Sequence, residues 1–174
     1  MKRVKDLFLI VISGPAGAGK TTLADFLHDD LSHTAHIGSD HIKRFISEFR
    51  EVKTHDEITR KVINAMTEEY LKNGISVIVD QGMNRKEVES LSLIAEKHKA
   101  DFLAYAVFAD RSVLEQRTRE RSKTLNKPVI SKEHMDLIMK RHEDNDYPYT
   151  TIFDSSKLNT KEIAEFILVD LNID

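Results

Sequence analysis

Residues Gly14-Pro15-Ala16-Gly17-Ala18-Gly19-Lys20-Thr21 hold three of the chain's six glycines and end in a lysine and a threonine. They follow an unbroken run of branched and aromatic residues, Leu7–Ile12. Such a run suits a central strand covered on both faces. Beyond them Leu23, Phe26, Leu27 and Leu31 recur at helical spacing. A strand, a turn of the form G-x-x-x-x-G-K-[ST] and a helix therefore follow one another. The residue types have a physical reason. Backbone N–H groups can converge on phosphate oxygens only where glycine tolerates the required angles and no side chain fills the turn. The helix that starts near Lys20 adds its positive end. Gly14 to Thr22 thus form a candidate nucleotide-phosphate cradle. Lys20 would reach the β- and γ-phosphates, and the Thr21 hydroxyl would ligate Mg²⁺. The rival dinucleotide pattern G-x-G-x-x-G fails, because Ala16 stands at its second glycine. The expected nucleotide is a triphosphate, ATP.

The rest of the chain alternates strand and helix signals. Thr34–Ile37 is a short strand candidate. From His41 to about Lys72 the pattern is helical, with one stripe of Ile42, Phe45, Ile46 and Phe49 and a second of Ile58, Val62, Met66 and Tyr70. Asn73-Gly74 is a helix stop. Ile75–Asp80 and Phe102–Ala109 are further strands, each followed by a helix. One helix carries Val88, Leu91, Ile94 and Ala95, and another spans about Ser112 to Arg121. The polar stretch through Lys127-Pro128, about residues 122–132, is the best candidate for a mobile lid. A helix with Met135, Ile138 and Met139, a short edge strand Thr151–Phe153 and a last helix with Ile163, Phe166, Ile167 and Leu171 complete the order. Alternation of this kind means right-handed crossovers and a parallel sheet, so the fold class is α/β in three layers. With 174 residues and no linker-like or repeated segment, one domain over 1–174 is expected.

Composition removes several function classes. There is no cysteine, which excludes thiolate nucleophiles and disulfide scaffolds. No H-E-x-x-H or G-x-S-x-G occurs. The longest apolar run, Phe102–Ala109, is eight residues, against about 20 for a membrane span. The expectation is a cytoplasmic protein without a targeting segment. The net charge of −3 argues against a generic polyanion binder, and nucleic acid is not an expected partner.

Two carboxylates stand at carboxyl ends of strands, where the ligand crevice of an open parallel sheet lies. Asp40 is placed to take the proton of an acceptor hydroxyl. An ordinary helix start, with Ser39 or Asp40 as cap before His41, reads the same residues equally well. Asp80 ends an apolar strand and can hold Mg²⁺ or contact the acceptor, or it can be a turn residue before Gly82. Gln81, Asn84 and Arg85 lie just beyond and could line an acceptor pocket, although a residue such as Arg85 more often lies solvated on its helix. Arg117 and Arg121 are four apart and share one helix face, with Arg119 pointing elsewhere. Guanidinium groups there could neutralise a transferring phosphoryl group; a solvated basic helix is the bland alternative. Asp154-Ser155-Ser156 could offer backbone groups to adenine or cap the last helix. The eight histidines look scattered and suggest no zinc site.

Four segments together carry a resemblance: G-P-A-G-A-G-K-T at 14–21, S-D-H-I-K at 39–43, V-D-Q-G-M-N-R at 79–85, and Arg117 with Arg121 before the polar loop. The chain resembles the small P-loop kinases grouped with zeta toxins and polynucleotide-kinase-type phosphotransferases, and its element order is that of adenylate-kinase-like proteins. The resemblance implies a five-stranded parallel sheet in order 2-3-1-4-5 with a small helical lid. It further implies that Asp40 acts as base, that Arg117 and Arg121 clamp nucleotide and phosphoryl group, and that the basic residue at Lys43 binds acceptor. Polynucleotide kinases carry arginine at that last place.

The combined expectation is a kinase with ATP and Mg²⁺ as cofactors, acting on a hydroxyl of a small-molecule acceptor. Lys20, Asp40, Arg117 and Arg121 would be catalytic, Asp40, Lys43, Asp80 and Arg85 would meet the acceptor, and Thr21 and Asp80 would hold the metal. A nucleoside or nucleotide kinase, an ATP-sensing module, and a toxin phosphorylating a sugar nucleotide are the rivals. Oligomeric state, monomer or homodimer, is not legible.

Overall fold

A computed structural model describes residues 6–48, 55–125, 129–143 and 149–172. Strands β1 (Phe8–Ser13), β2 (Thr34–Gly38), β3 (Ser76–Asp80), β4 (Asp101–Phe108) and β5 (Thr151–Asp154) form one sheet in the order β2-β3-β1-β4-β5. Every pairing is parallel. The order and direction are those the resemblance implied.

β1 is buried along its whole length. Successive side chains of a strand point to opposite faces, and both faces of β1 are covered. Phe8, Ile10 and Ile12 enter a cluster with Leu23 and Leu27 of α1 (Lys20–Asp30) and Ile163 and Ile167 of α7 (Thr160–Asp170). Leu9 and Val11 enter a second cluster with Ile63 of α3 (His55–Lys72) and with Val88 and Leu91 of α4 (Arg85–Lys97). Burying a leucine- or isoleucine-sized side chain contributes roughly 1.5–3 kcal/mol, so β1 is the most firmly held part of the sheet. The cradle hangs from its carboxyl end.

The single helix expected over His41–Lys72 is not formed. A short helix α2 (Ser39–Lys43) gives way to turns through residue 48, and α3 begins at His55; residues 49–54 lie outside the described part. Glu48 has φ 56, which no helix continues through. The buried stripe of α3 is also displaced by one position from the expected one. Ile58 and Val62 are exposed and Met66 and Tyr70 pack only partly buried against the core, while Thr59, Ile63, Thr67 and Leu71 face it. Two buried threonines disguise that face as polar. The helix expected over Ser112–Arg121 is α5 (Arg111–Leu125), which takes in the first part of the expected lid. Residues 126–128 lie outside the described part, and α6 (Lys132–Glu143) follows.

Candidate active site

The carboxyl ends of β1, β2 and β3 converge in a cleft of about 1200 Å³. Register brings the parts together: Asp80 pairs with Ile12 of β1 and with Gly38 of β2. All residues from Gly14 to Thr22 line the cleft, with Asp40, Lys43, Asp80, Arg117 and Arg121. Arg85 does not. It lies half exposed on α4, with its guanidinium 3.9 Å from Glu89.

The cradle's shape depends on its glycines. A Cβ on Gly14 would fall 2.0 Å from the Val107 carbonyl oxygen of β4. Gly19 has φ 98, left-handed backbone that opens α1 without a side-chain cap. Lys20 Nζ donates to the Pro15 carbonyl at 3.0 Å and so lies back across the loop. Burial lowers the Lys20 pKa from its ordinary value; the carboxylates of Asp80 and Asp40 oppose that effect, and Arg121 adds to it. Asp40, Asp80 and Arg121 line the same cleft as this ammonium.

Thr21 Oγ1 donates to Asp80 Oδ2 at 2.6 Å. The two groups offered for a metal are thus adjacent oxygens, a hard donor set that suits Mg²⁺. Asp80 is buried at 4% exposure and sits so close to β2 that a Cβ on Gly38 would lie 2.8 Å from Oδ1. From the same strand His36 Nε2 lies 3.4 Å from Asp80 Oδ1, near enough for attraction but without forming a proper hydrogen bond. His36 Nδ1 is 3.1 Å from Asp25 of α1. Burial disfavours the imidazolium, yet the two carboxylates outweigh it and raise the His36 pKa. His36 is one of the histidines that look scattered in the sequence. The period of two in β2 puts Thr34, His36 and Gly38 on one face, but it does not by itself bring His36 to Asp80.

Asp40 does not serve as the helix cap that the alternative reading allowed. α2 starts at Gly38 with no side-chain cap, and Asp40 lies exposed in its first turn at the rim of the cleft. Lys43 is bound to Asp56 of α3 at 2.6 Å. On the same side of the cleft Arg60 of α3 holds Glu87 of α4 at 2.8 Å. Asn84 and Glu87 form a capping box that starts α4. The sequence spacing N-x-x-E shows that box, and Asn84 also lines the cleft.

Arg117 and Arg121 share the cleft face of α5, while Arg119 faces a separate hollow beside α6. Arg117 is already engaged: it donates to Ser155 Oγ at 2.9 Å and to the Ser155 carbonyl at 2.8 Å, and it lies 3.5 Å from the Gly17 carbonyl. Ser155 Oγ in turn donates to the Ala18 carbonyl at 2.9 Å. Arg117 therefore ties the cradle to the loop after β5. Asn159, and not Asp154 or Ser155, caps the last helix. His134 of α6 also lines the cleft, with no sequence signal to reveal it.

A family model described as an AAA domain, AAA_33, matches residues 9–144. The chain belongs to this AAA domain family. The match takes in the cradle, both carboxylates and both arginines. No curated protein sequence matches the chain. Among solved structures, the chain resembles a protein of Chloroflexus aurantiacus described as a candidate kinase, at 16% identity and TM-score 0.75 over 99% of this chain and 98% of that one. It resembles a gluconokinase of Sinorhizobium meliloti at 17% identity and TM-score 0.69, over 95% and 91% of the two chains. A shikimate kinase of Acinetobacter baumannii gives 16% identity and TM-score 0.66 over 95% and 94%. At such identities the likeness establishes the P-loop kinase-like fold. No helix among the described residues is long and apolar enough to cross a membrane.

Proposed function

We propose that the protein is an ATP-dependent phosphotransferase that moves the γ-phosphoryl group to a hydroxyl of a small-molecule acceptor. The observation that carries this reading is that Lys20, Asp40, Asp80 and Arg121 all line one two-sided cleft beside the phosphate cradle. One side is the phosphate cradle. The other is walled by α2, α3 and the start of α4, with polar groups and room for a second molecule. A module that only senses nucleotide has no use for such a second wall. The names of the structural neighbours, among them a gluconokinase and a shikimate kinase, support the same class.

In this reading the loop amides and Lys20 hold and orient the β- and γ-phosphates. Thr21 and Asp80 are the residues that would hold Mg²⁺, and the ion would offset the negative charge of the phosphates. Asp40 accepts the acceptor's hydroxyl proton. The acceptor oxygen bonds to the γ-phosphorus as the bond from that phosphorus to the β–γ bridging oxygen breaks, and ADP leaves. Arg121 faces the charge that spreads over the γ-oxygens. Arg117 acts through Ser155 and Gly17 by fixing the cradle. A transfer assay with γ-labelled ATP and a panel of hydroxyl compounds tests the proposal, with Lys20→Ala as the control. Label in an organic product with the native chain and none with the control is the expected result. ATP binding with label found only as inorganic phosphate would overturn it.

A further inference from the structure

Asp80 is linked to α1 by two routes, and the second bears on how the magnesium pair is held; this inference rests on the reading of Thr21 and Asp80 given above. Thr21 and Asp25 stand four apart on α1 and share one face of that helix. Gly38 pairs with Asp80 across β2 and β3. His36, two residues earlier on the same face of the sheet, is therefore a diagonal neighbour of Asp80, a spacing that a long side chain can cross. The four residues close a circuit. Thr21 Oγ1 donates to Asp80 Oδ2 at 2.6 Å, Asp80 Oδ1 lies 3.4 Å from His36 Nε2, and His36 Nδ1 lies 3.1 Å from Asp25 Oδ1.

The loosest link in the circuit is the informative one. The His36 side chain is only 9% exposed, and its Nε2 has no hydrogen-bond partner among the described residues. A buried polar atom left in that state is costly and calls for a reason. The acceptor it faces is Asp80 Oδ1, the oxygen that Thr21 does not use. Its other nitrogen is at Asp25, and His28 of α1 stands beside the imidazole with ring centroids 6.2 Å apart. The imidazole cannot turn from Asp80 without leaving Asp25. The terminal torsion of an aspartate is soft, so the bond to Thr21 alone would leave the carboxylate free to rotate about it.

We infer that His36, clamped by Asp25, is a positioning residue that fixes the Asp80 carboxylate with Oδ2 at Thr21 and so sets the affinity for magnesium. The test is calorimetric titration of the full chain with a non-hydrolysable ATP analogue across a magnesium series and in EDTA, beside thermal melting. His36→Leu should raise the magnesium concentration for half-maximal binding about 10–100-fold, as loss of an outer partner of a metal ligand does, with affinity for the metal-free analogue unchanged. His36→Gln fills similar space but keeps an N–H donor. It should recover most of that loss, which a role in packing alone would not produce. Asp25→Asn alters a side chain that is 61% exposed and leaves the core as it is, so it reads the same clamp where His36→Leu fails to fold. It should move the midpoint the same way by about threefold. A native midpoint in either His36→Leu or Asp25→Asn overturns the inference. So does a lower midpoint in His36→Leu, which would mean that the imidazole opposes the ion, or a His36→Gln midpoint no better than that of His36→Leu. Equal loss of affinity with and without magnesium also overturns it, because that is general damage to the cradle. The kinase reading survives all of these results and fails instead if the native chain does not bind the analogue with magnesium present.

Discussion

Gly38→Ala isolates the geometry of Asp80 from everything else in the fold. Gly38 has φ −93 and ψ 126, ordinary extended backbone that alanine adopts without strain. The new Cβ, however, would stand 2.8 Å from Asp80 Oδ1 and 3.3 Å from His41 Nδ1. Ordinary contact needs about 3.4 Å, so the carboxylate must retreat by about 0.6 Å. Displacement along the bond would stretch the 2.6 Å link to Thr21 to about 3.2 Å, past the 2.5–3.0 Å range of an O–H···O hydrogen bond. Asp80 cannot slide freely, because β1 and β2 flank it and His36 faces it. Displacing a ligand's support typically lowers metal affinity about 10–100-fold. The expected result is therefore a 10–100-fold rise in the magnesium concentration needed for half-maximal nucleotide binding. Stability should fall by about 1–3 kcal/mol, the usual cost of overpacking a buried place. Calorimetric titration of a non-hydrolysable ATP analogue across a magnesium series, paired with thermal melting, separates the two effects. A variant with native magnesium dependence would refute the placement of Asp80 at the metal.

Asp40→Asn should lower kcat about 10²–10⁴-fold, the usual contribution of a positioned base, while calorimetry finds ATP affinity unchanged. Arg121→Ala should cost kcat about 10³-fold or more, with Arg121→Lys recovering little of it, because a point charge cannot reproduce a planar fork. Ile10→Ala, at the buried centre of β1, should destabilise by about 2–5 kcal/mol in denaturant unfolding. Tyr105 donates to Asp170 at 2.8 Å, and burial together with that carboxylate raises its pKa well above the ordinary 10.0. The folded state then keeps a proton that the unfolded state loses. The contribution is full below pH 10 and falls away as pH climbs above it. Tyr105→Phe should flatten that alkaline decline in stability, and an unchanged slope would contradict the assignment.

What could be read in the sequence follows from where its signals are local. Leu7–Ile12, the glycines and Lys20-Thr21 are contiguous, and the strand, turn and helix they form obey short-range rules. Asp80 was legible because an apolar strand ends on it. The break after Lys43 was hidden, because Phe45, Ile46 and Phe49 continue a helical stripe and the positive φ falls on Glu48 rather than on glycine. Phe45 turns out to be 80% exposed. His36 acquires its role only through parallel pairing with β3, a long-range contact that no local pattern encodes. Arg117 and Arg121 share a face by spacing, but only the arrival of Ser155 from beyond β5 separates a residue that fixes the cradle from one that faces the cleft.

The central claim is that the turn after β1 wraps a magnesium-bound triphosphate. Titration of the native chain and of Lys20→Ala with a non-hydrolysable ATP analogue, magnesium present, tests it most directly. One site per chain in the native protein, lost or weakened at least about tenfold in the variant, is the expected outcome. No heat from the native chain, or equal affinity in both, would contradict it.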